Sequence, residues 1–156
     1  MPSVWRAEPH EAVAVARLLA AFRDHIGLDE PSDDDVRAGV ERLIGDPATE
    51  FLLVAPQAGA PAAGVAQLRF RHGIWRAGGD CLLEDLFVTA EARGAGLGRA
   101  LLDGVLDRAR ARDCRRLELD VNERNETALA LYGAFGFSAT ANPYGARDLY
   151  MRLHLD

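Results

Sequence analysis

The stretch from Cys81 to Arg112 limits the possible folds more than any other. Cys81 to Val88 is an apolar run that reads as a strand. It leads into three alternating glycines, Gly94, Gly96 and Gly98, and these open directly into a helix from about Gly96 to Arg112. Leu97, Leu101, Leu102, Val105, Leu106 and Ala109 recur on one side of that helix at the spacing of a buried stripe. A strand that turns on glycine into a long amphipathic helix belongs in an α/β domain.

The rest of the chain fits the same class. Val4 to Ala7 reads as a first strand. His10 to Phe22 follows as a helix with Val13, Ala16, Leu19 and Ala20 in register. Leu28 to Asp35 is acidic and contains Pro31, a loop. Ser32 is placed to cap a second helix whose buried stripe is Val36, Val40, Leu43 and Ile44. Phe51 to Ala55 and Val65 to Arg71 read as strands joined through the Pro-, Gly- and Ala-rich Pro56 to Gly64. Leu117, Leu119 and Val121 alternate with charged residues, which predicts a half-buried strand. A last helix spans about Glu126 to Phe135 and stops at Gly136. Leu149 to Leu155 alternates as a terminal strand. No linker or repeat divides the 156 residues, so one domain, 1–156, is expected.

Composition narrows the function. A formal charge of -6 argues against nucleic acid, which calls for a basic face. It suits a cationic substrate and a merely solvated acidic surface equally. Two cysteines, Cys81 and Cys114, in apolar settings read as buried free thiols rather than a disulfide framework. No charged-then-apolar leader opens the chain, and no apolar run approaches the ~18 residues of a membrane span. A cytoplasmic protein without a membrane partner is expected. His25 and His72 lack partner spacing for a metal.

Glycine early in a helix costs ~1 kcal/mol relative to alanine, so Gly96 and Gly98 need a reason. One is a tight strand-to-helix turn. The other is a ligand close to bare backbone, where unpaired N–H groups and the helix dipole cradle an anion. A nucleoside-triphosphate loop fails, because Gly98 is followed by Arg99 and Ala100 instead of Lys and Ser/Thr. A dinucleotide fingerprint fails because Arg99 occupies the place of its third glycine. A second motif, Asn125-Glu126-Thr127-Ala128-Leu129-Ala130-Leu131-Tyr132 followed by Gly136-Phe137, puts Asn125, Ala128 and Tyr132 on one helical face. Read alone, Asn125 is an N-cap and Tyr132 a core residue.

Together, Arg93-x-x-Gly96-x-Gly98 and the Asn125–Tyr132 motif resemble the GCN5-related N-acetyltransferases, the GNAT superfamily. The resemblance implies a mixed central sheet, flanked by helices and splayed at the strand before the glycine loop. It implies acetyl-CoA as co-substrate, with the pyrophosphate on the amides of Arg93, Gly94, Ala95, Gly96, Leu97, Gly98 and Arg99. The pantetheine arm would pair with Leu86, Phe87 and Val88, and Asn125 and Ala128 would complete the coenzyme site. Tyr132 becomes the proton donor to the departing thiolate, and Glu84 the base for the attacking amine. Glu84 and Asp85 adjoin on a strand, so opposite directions are expected for them, one facing the acceptor. Leu83 to Val88, Trp75 and Asn125-Glu126 look most like the diamine branch, which handles spermidine, spermine and thialysine. That likeness adds Asp24, Asp29, Trp75 and Asp85 as candidate substrate contacts. Phe22-Arg23-Asp24-His25 departs from it by setting a cation beside the expected acid. A small-molecule amine acetyltransferase acting by direct attack in a ternary complex, as a homodimer, is the leading expectation. A protein N-terminal or lysine acetyltransferase, and a non-catalytic CoA-binding module, stand as alternatives.

Overall fold

The computed structural model describes residues 1–156, which form two compact units, Met1–Leu119 and Asp120–Asp156. The first unit runs β1 (Ser3–Arg6), α1 (Ala12–His25), α2 (Asp33–Ile44), β2 (Thr49–Ala55), β3 (Gly64–Gly73), β4 (Gly78–Val88), α3 (Leu97–Ala111) and β5 (Cys114–Glu118). Its five strands lie in sequence order, β1 to β4 antiparallel and β5 parallel to β4. The sheet is mixed, as the resemblance implied.

Alternation along β2 explains both faces. Phe51 and Leu53 join Val65 and Phe87 beneath α1 and α2, where Val15, Leu18 and Val40 complete a buried cluster. The intervening Leu52 and Val54 are equally buried and turn the other way, toward the α3 stripe of Leu97, Leu101, Leu102, Val105 and Ala109. Helix α3 lies so close to the sheet that a β-carbon on Gly104 would stand 2.8 Å from Val4 Cγ1. Ser32 caps α2 by accepting a 3.1 Å hydrogen bond from the Asp35 amide, as its position predicted.

The second unit holds α4 (Glu126–Ala134), ended by Gly136 at φ +94°. Two expectations need correction. The strand expected over Leu117–Val121 is β5 at Cys114–Glu118, so it starts three residues earlier and includes Arg115 and Arg116. The terminal strand expected at Leu149–Leu155 is absent: those residues have no ladder partner, and Leu149, Met151, Leu153 and Leu155 are all exposed. Alternation supplies a side-chain pattern, but a strand also needs a hydrogen-bonded neighbour.

Candidate active site

The glycine loop adopts the conformation that its composition suggests. After β4 a short 3-10 turn, Ala90–Ala92, leads to Gly94 at φ +83° and Gly96 at φ +78°, with Gly96 as the N-cap of α3. Both angles are left-handed, where a side chain is strained. A β-carbon at either would meet nothing within 4 Å, so the space over this backbone is open. In this turn the Ala92 and Arg93 amides bond back to the Thr89 and Ala90 carbonyls, at 3.0 and 3.4 Å, and Gly94, Ala95 and Gly96 follow as exposed residues. The first internal bond of the helix start is from the Ala100 amide to the Gly96 carbonyl, at 3.0 Å. The start of α3, with its positive dipole end, thus lies beside an exposed glycine turn, which suits a pyrophosphate.

Arg93 fastens this loop to the rest of the unit. Its Nε donates to the Val88 carbonyl at 3.2 Å, its Nη2 lies 3.2 Å from His25 Nε2, and its guanidinium sits 5.9 Å from the Phe87 ring centroid. Phe87 in turn stacks on Phe22 at 5.0 Å, which ties the end of α1 to the same junction. Sequence reasoning missed His25 in this role, because nothing local links residues 25 and 93.

The strand before the loop has one open edge. On one side β4 pairs with β3 as far as Gly64↔Val88. On the other, its parallel pairing with β5 covers Gly79↔Cys114, Asp80↔Arg116, Cys81↔Leu117 and Leu82↔Glu118, and stops there. Leu83 to Val88 therefore lie beyond the β5 ladder over roughly 20 Å, an edge that an extended ligand can complete. This is the splay that the resemblance implied. The short 3-10 turn Ala90–Ala92 joins it to the glycine loop.

A bulge changes the expected directions of the two acids. Gln67 pairs with Asp85 and Leu68 with Leu83, so Glu84 is the extra, unpaired residue of β4. Opposite facing was expected for Glu84 and Asp85 from strict alternation. Instead Glu84 reaches Arg69, at 3.5 Å, on the face that carries Gln67, the partner of Asp85. The inserted residue breaks the period of two, and both carboxylates share one side of the sheet. Glu84 is exposed and Asp85 half-buried.

Farther down that face Asp80, 2% exposed, takes a two-pronged bond from Arg116 at 3.1 and 2.9 Å. The Arg116 hydrogen bonds hold the Asp80 carboxyl below the usual range despite its burial. Cys81 is a buried thiol, pushed up to about 12 chiefly by desolvation, and Cys114 is a half-buried free thiol. Neither suits a nucleophile.

In the second unit Asn125 caps α4, its Oδ1 accepting from the Ala128 amide at 3.1 Å. Tyr132, one turn farther along that face, is half-buried, with its ring edge-on to Phe137 at 5.8 Å. The motif is thus built as a capped helix with Asn125, Ala128 and Tyr132 aligned.

The expected substrate contacts are scattered. Asp24 is held by Arg23 at 2.8 Å, and the same guanidinium binds Asp33 at 2.7 Å and the Pro31 carbonyl at 2.8 Å. Asp29 lines an open depression with Glu30, Pro31, Ser32 and Asp35. Trp75, 92% exposed, caps the β3–β4 hairpin, at the end of β4 away from the glycine loop.

Residues 13–137 match the profile of the acetyltransferase (GNAT) family. The chain belongs to the GNAT family of acetyltransferases. Among curated relatives, an aminoglycoside N(6')-acetyltransferase type 1 of Stenotrophomonas maltophilia is 30% identical over 158 residues, covering 99% of this chain and 95% of that one. A thialysine N-epsilon-acetyltransferase of Bos taurus is 31% identical over 133 residues, 78% of this chain and 75% of the relative. A solved protein from Arthrobacter sp. FB24 superposes with a TM-score of 0.86 at 31% identity, covering 98% of this chain and 96% of that chain. This GNAT chain is therefore an acetyltransferase with the mixed, splayed sheet of its family, whose co-substrate is acetyl-CoA. No helix in it is long and apolar enough to cross a membrane.

Proposed function

We propose that this GNAT protein moves the acetyl group of acetyl-CoA to the primary amine of a small molecule, by direct attack within a ternary complex. The observation that carries the reading is the β4 edge beyond Leu82 that β5 leaves open, followed after one short turn by the glycine helix start at Gly94–Gly98. One surface takes an extended arm and the other its charged end. The names of several relatives support the substrate class: aminoglycoside, thialysine and glucosamine 6-phosphate acetyltransferases all act on small amines.

In this reading Leu86, Phe87 and Val88 pair with the pantetheine arm, and the amides from Arg93 to Arg99 grip the pyrophosphate. Asn125 and Ala128 belong to the same coenzyme site. Glu84, directly or through a water, takes a proton from the ammonium so that the nitrogen can attack the thioester carbon. As the new C–N bond forms, the nitrogen gives up its second proton to water, the C–S bond breaks and the electron pair leaves on sulfur. Tyr132 supplies the proton that the thiolate needs. A tyrosine hydroxyl ordinarily ionises near ~10 and a thiol near ~8.5, so the tyrosinate left behind is the stronger base and regains its proton from solvent. Asp85 on the Glu84 face, together with Asp24, Asp29 and Trp75, are the acceptor-side candidates. The 156 residues act as one catalytic domain, as a homodimer, in the cytoplasm.

The test is thiol release from acetyl-CoA with a panel of polyamines, amino acids, aminoglycosides and an amino-terminal peptide. Amine-dependent release by the wild type is expected. Tyr132→Phe should lower kcat about 100-fold or more while the Kd for acetyl-CoA holds. A silent panel refutes the function, and a fully active Tyr132→Phe refutes the proton donor. Preference for the peptide would move the substrate class to proteins.

A further inference from the structure

Four charged side chains on the acid-bearing face have no part in the chemistry above. Arg71, Asp80 and Arg116 form one row across three strands, since Arg71 and Arg116 are both register partners of Asp80. Glu118 lies two residues along β5, on the same face. Arg116 forks onto both Asp80 oxygens, and Arg71 Nε reaches Asp80 Oδ2 at 3.2 Å. The second nitrogens of both guanidiniums then meet Glu118 Oε1, each at 3.0 Å. The result is a closed ring of two cations and two anions that stitches β3, β4 and β5 together.

The place of this ring matters more than its strength. Strand β5 is held to β4 by four register pairs, and the ladder slips between Gly79 and Asp80, where Arg115 is the extra residue. So short and irregular a parallel ladder sets its own register weakly. The fork from Arg116 to Asp80 fixes the register just after the slip. Glu118 belongs to the last pair, Leu82↔Glu118, beyond which the two strands part. On the proposed reading, an arm anchored on Gly94–Gly98 lies back along the open edge from Val88 toward Leu83, so that its acyl end points at this row. Arg69, the register partner of Leu82 in that row, binds Glu84 at 3.5 Å.

We propose that Arg71, Asp80, Arg116 and Glu118 are positioning residues that fix the row at which β4 and β5 separate, and so set how long an acyl group the enzyme accepts. This rests on the reading that the coenzyme arm lies along Leu83–Val88. Moving the fork by one residue would lengthen the opening by about 3.3 Å, room for about two more carbon atoms. The ring is thus a ruler against longer thioesters.

The experiment is calorimetry of the whole protein with CoA, acetyl-CoA and butyryl-CoA, without any amine. Wild type should bind acetyl-CoA more tightly than butyryl-CoA. Glu118→Gln and Arg71→Gln, at half-exposed and exposed positions where the fold is expected to survive, should shrink that ratio about tenfold, while the Kd for plain CoA stays within about threefold. Arg116→Lys, which keeps the charge but loses the fork, should act likewise. An unchanged butyryl-to-acetyl ratio in these folded variants would show that the ring only braces the sheet. If wild type binds none of the three ligands, the coenzyme reading itself falls, and the inference with it.

Discussion

Glu50 is nearly sealed from solvent, 2% exposed on β2, yet it carries a charge beneath α3. Burial alone would raise its carboxyl. The paired 2.7 Å bonds from Arg108, with Arg6 and Arg112 adding to them, outweigh that and hold it below the ordinary value. The unfolded chain titrates near the usual ~4.3, so protons bind the unfolded state more readily. The stabilisation is present in full above that pH and is lost as pH falls through the lower, folded value. Glu50→Gln should therefore cost about 1–3 kcal/mol at neutral pH. The gap to wild type should close progressively below about pH 4, as the unfolded wild-type chain takes up the proton that the folded protein still resists. Denaturant melts of both proteins across pH 2.5–7 measure this (~0.5 pH steps suffice). A gap that stays constant to the acid end would show that Glu50 contributes by shape alone.

At the scale of elements, the glycine loop is where local geometry becomes binding. Gly96→Val places a branched side chain at φ +78° in front of exposed amides. Loss of even one bond to a charged ligand is worth about 1.5–3 kcal/mol, so the Kd for CoA should rise tenfold or more. Calorimetry reads it directly, and an unaltered Kd would move the cradle elsewhere. This loop was legible in the sequence because its rules are local: glycines at 94 and 96, a helical stripe after them, and Asn125 three residues before the amide that it caps. The bulge at Glu84 was not legible. An extra residue in β4 is defined only against β3, and no property of Glu84 or Asp85 alone reveals which partner Gln67 takes. Strand β5 was misplaced for a related reason. Arg115 and Arg116 look like solvent-facing loop residues until Asp80 is brought beside Arg116 by β4, a strand far away in sequence. The His25–Arg93 clamp spans 68 positions and was equally hidden.

For the molecule as a whole, the proposal assigns coenzyme-holding residues to both compact units: Gly94–Gly98 to Met1–Leu119, and Asn125 with Ala128 to Asp120–Asp156. The chain carries its own separate reporters of the two. Its two tryptophans, Trp5 and Trp75, are both in the first unit, and its three tyrosines, Tyr132, Tyr144 and Tyr150, are all in the second. A ligand that binds only the folded state stabilises it by about 2.7 kcal/mol at a hundredfold excess over Kd. In a chain of this size that raises Tm by about 5–10 °C. If the 156 residues work as one domain, tryptophan fluorescence and tyrosine absorbance should report one coincident transition, and CoA should shift both traces by the same amount. A coenzyme engaged by the glycine loop alone would move the tryptophan trace and leave the tyrosine trace behind. That outcome would remove Asn125 and Ala128 from the coenzyme site, and with them the ground for aiming Tyr132 at the leaving sulfur.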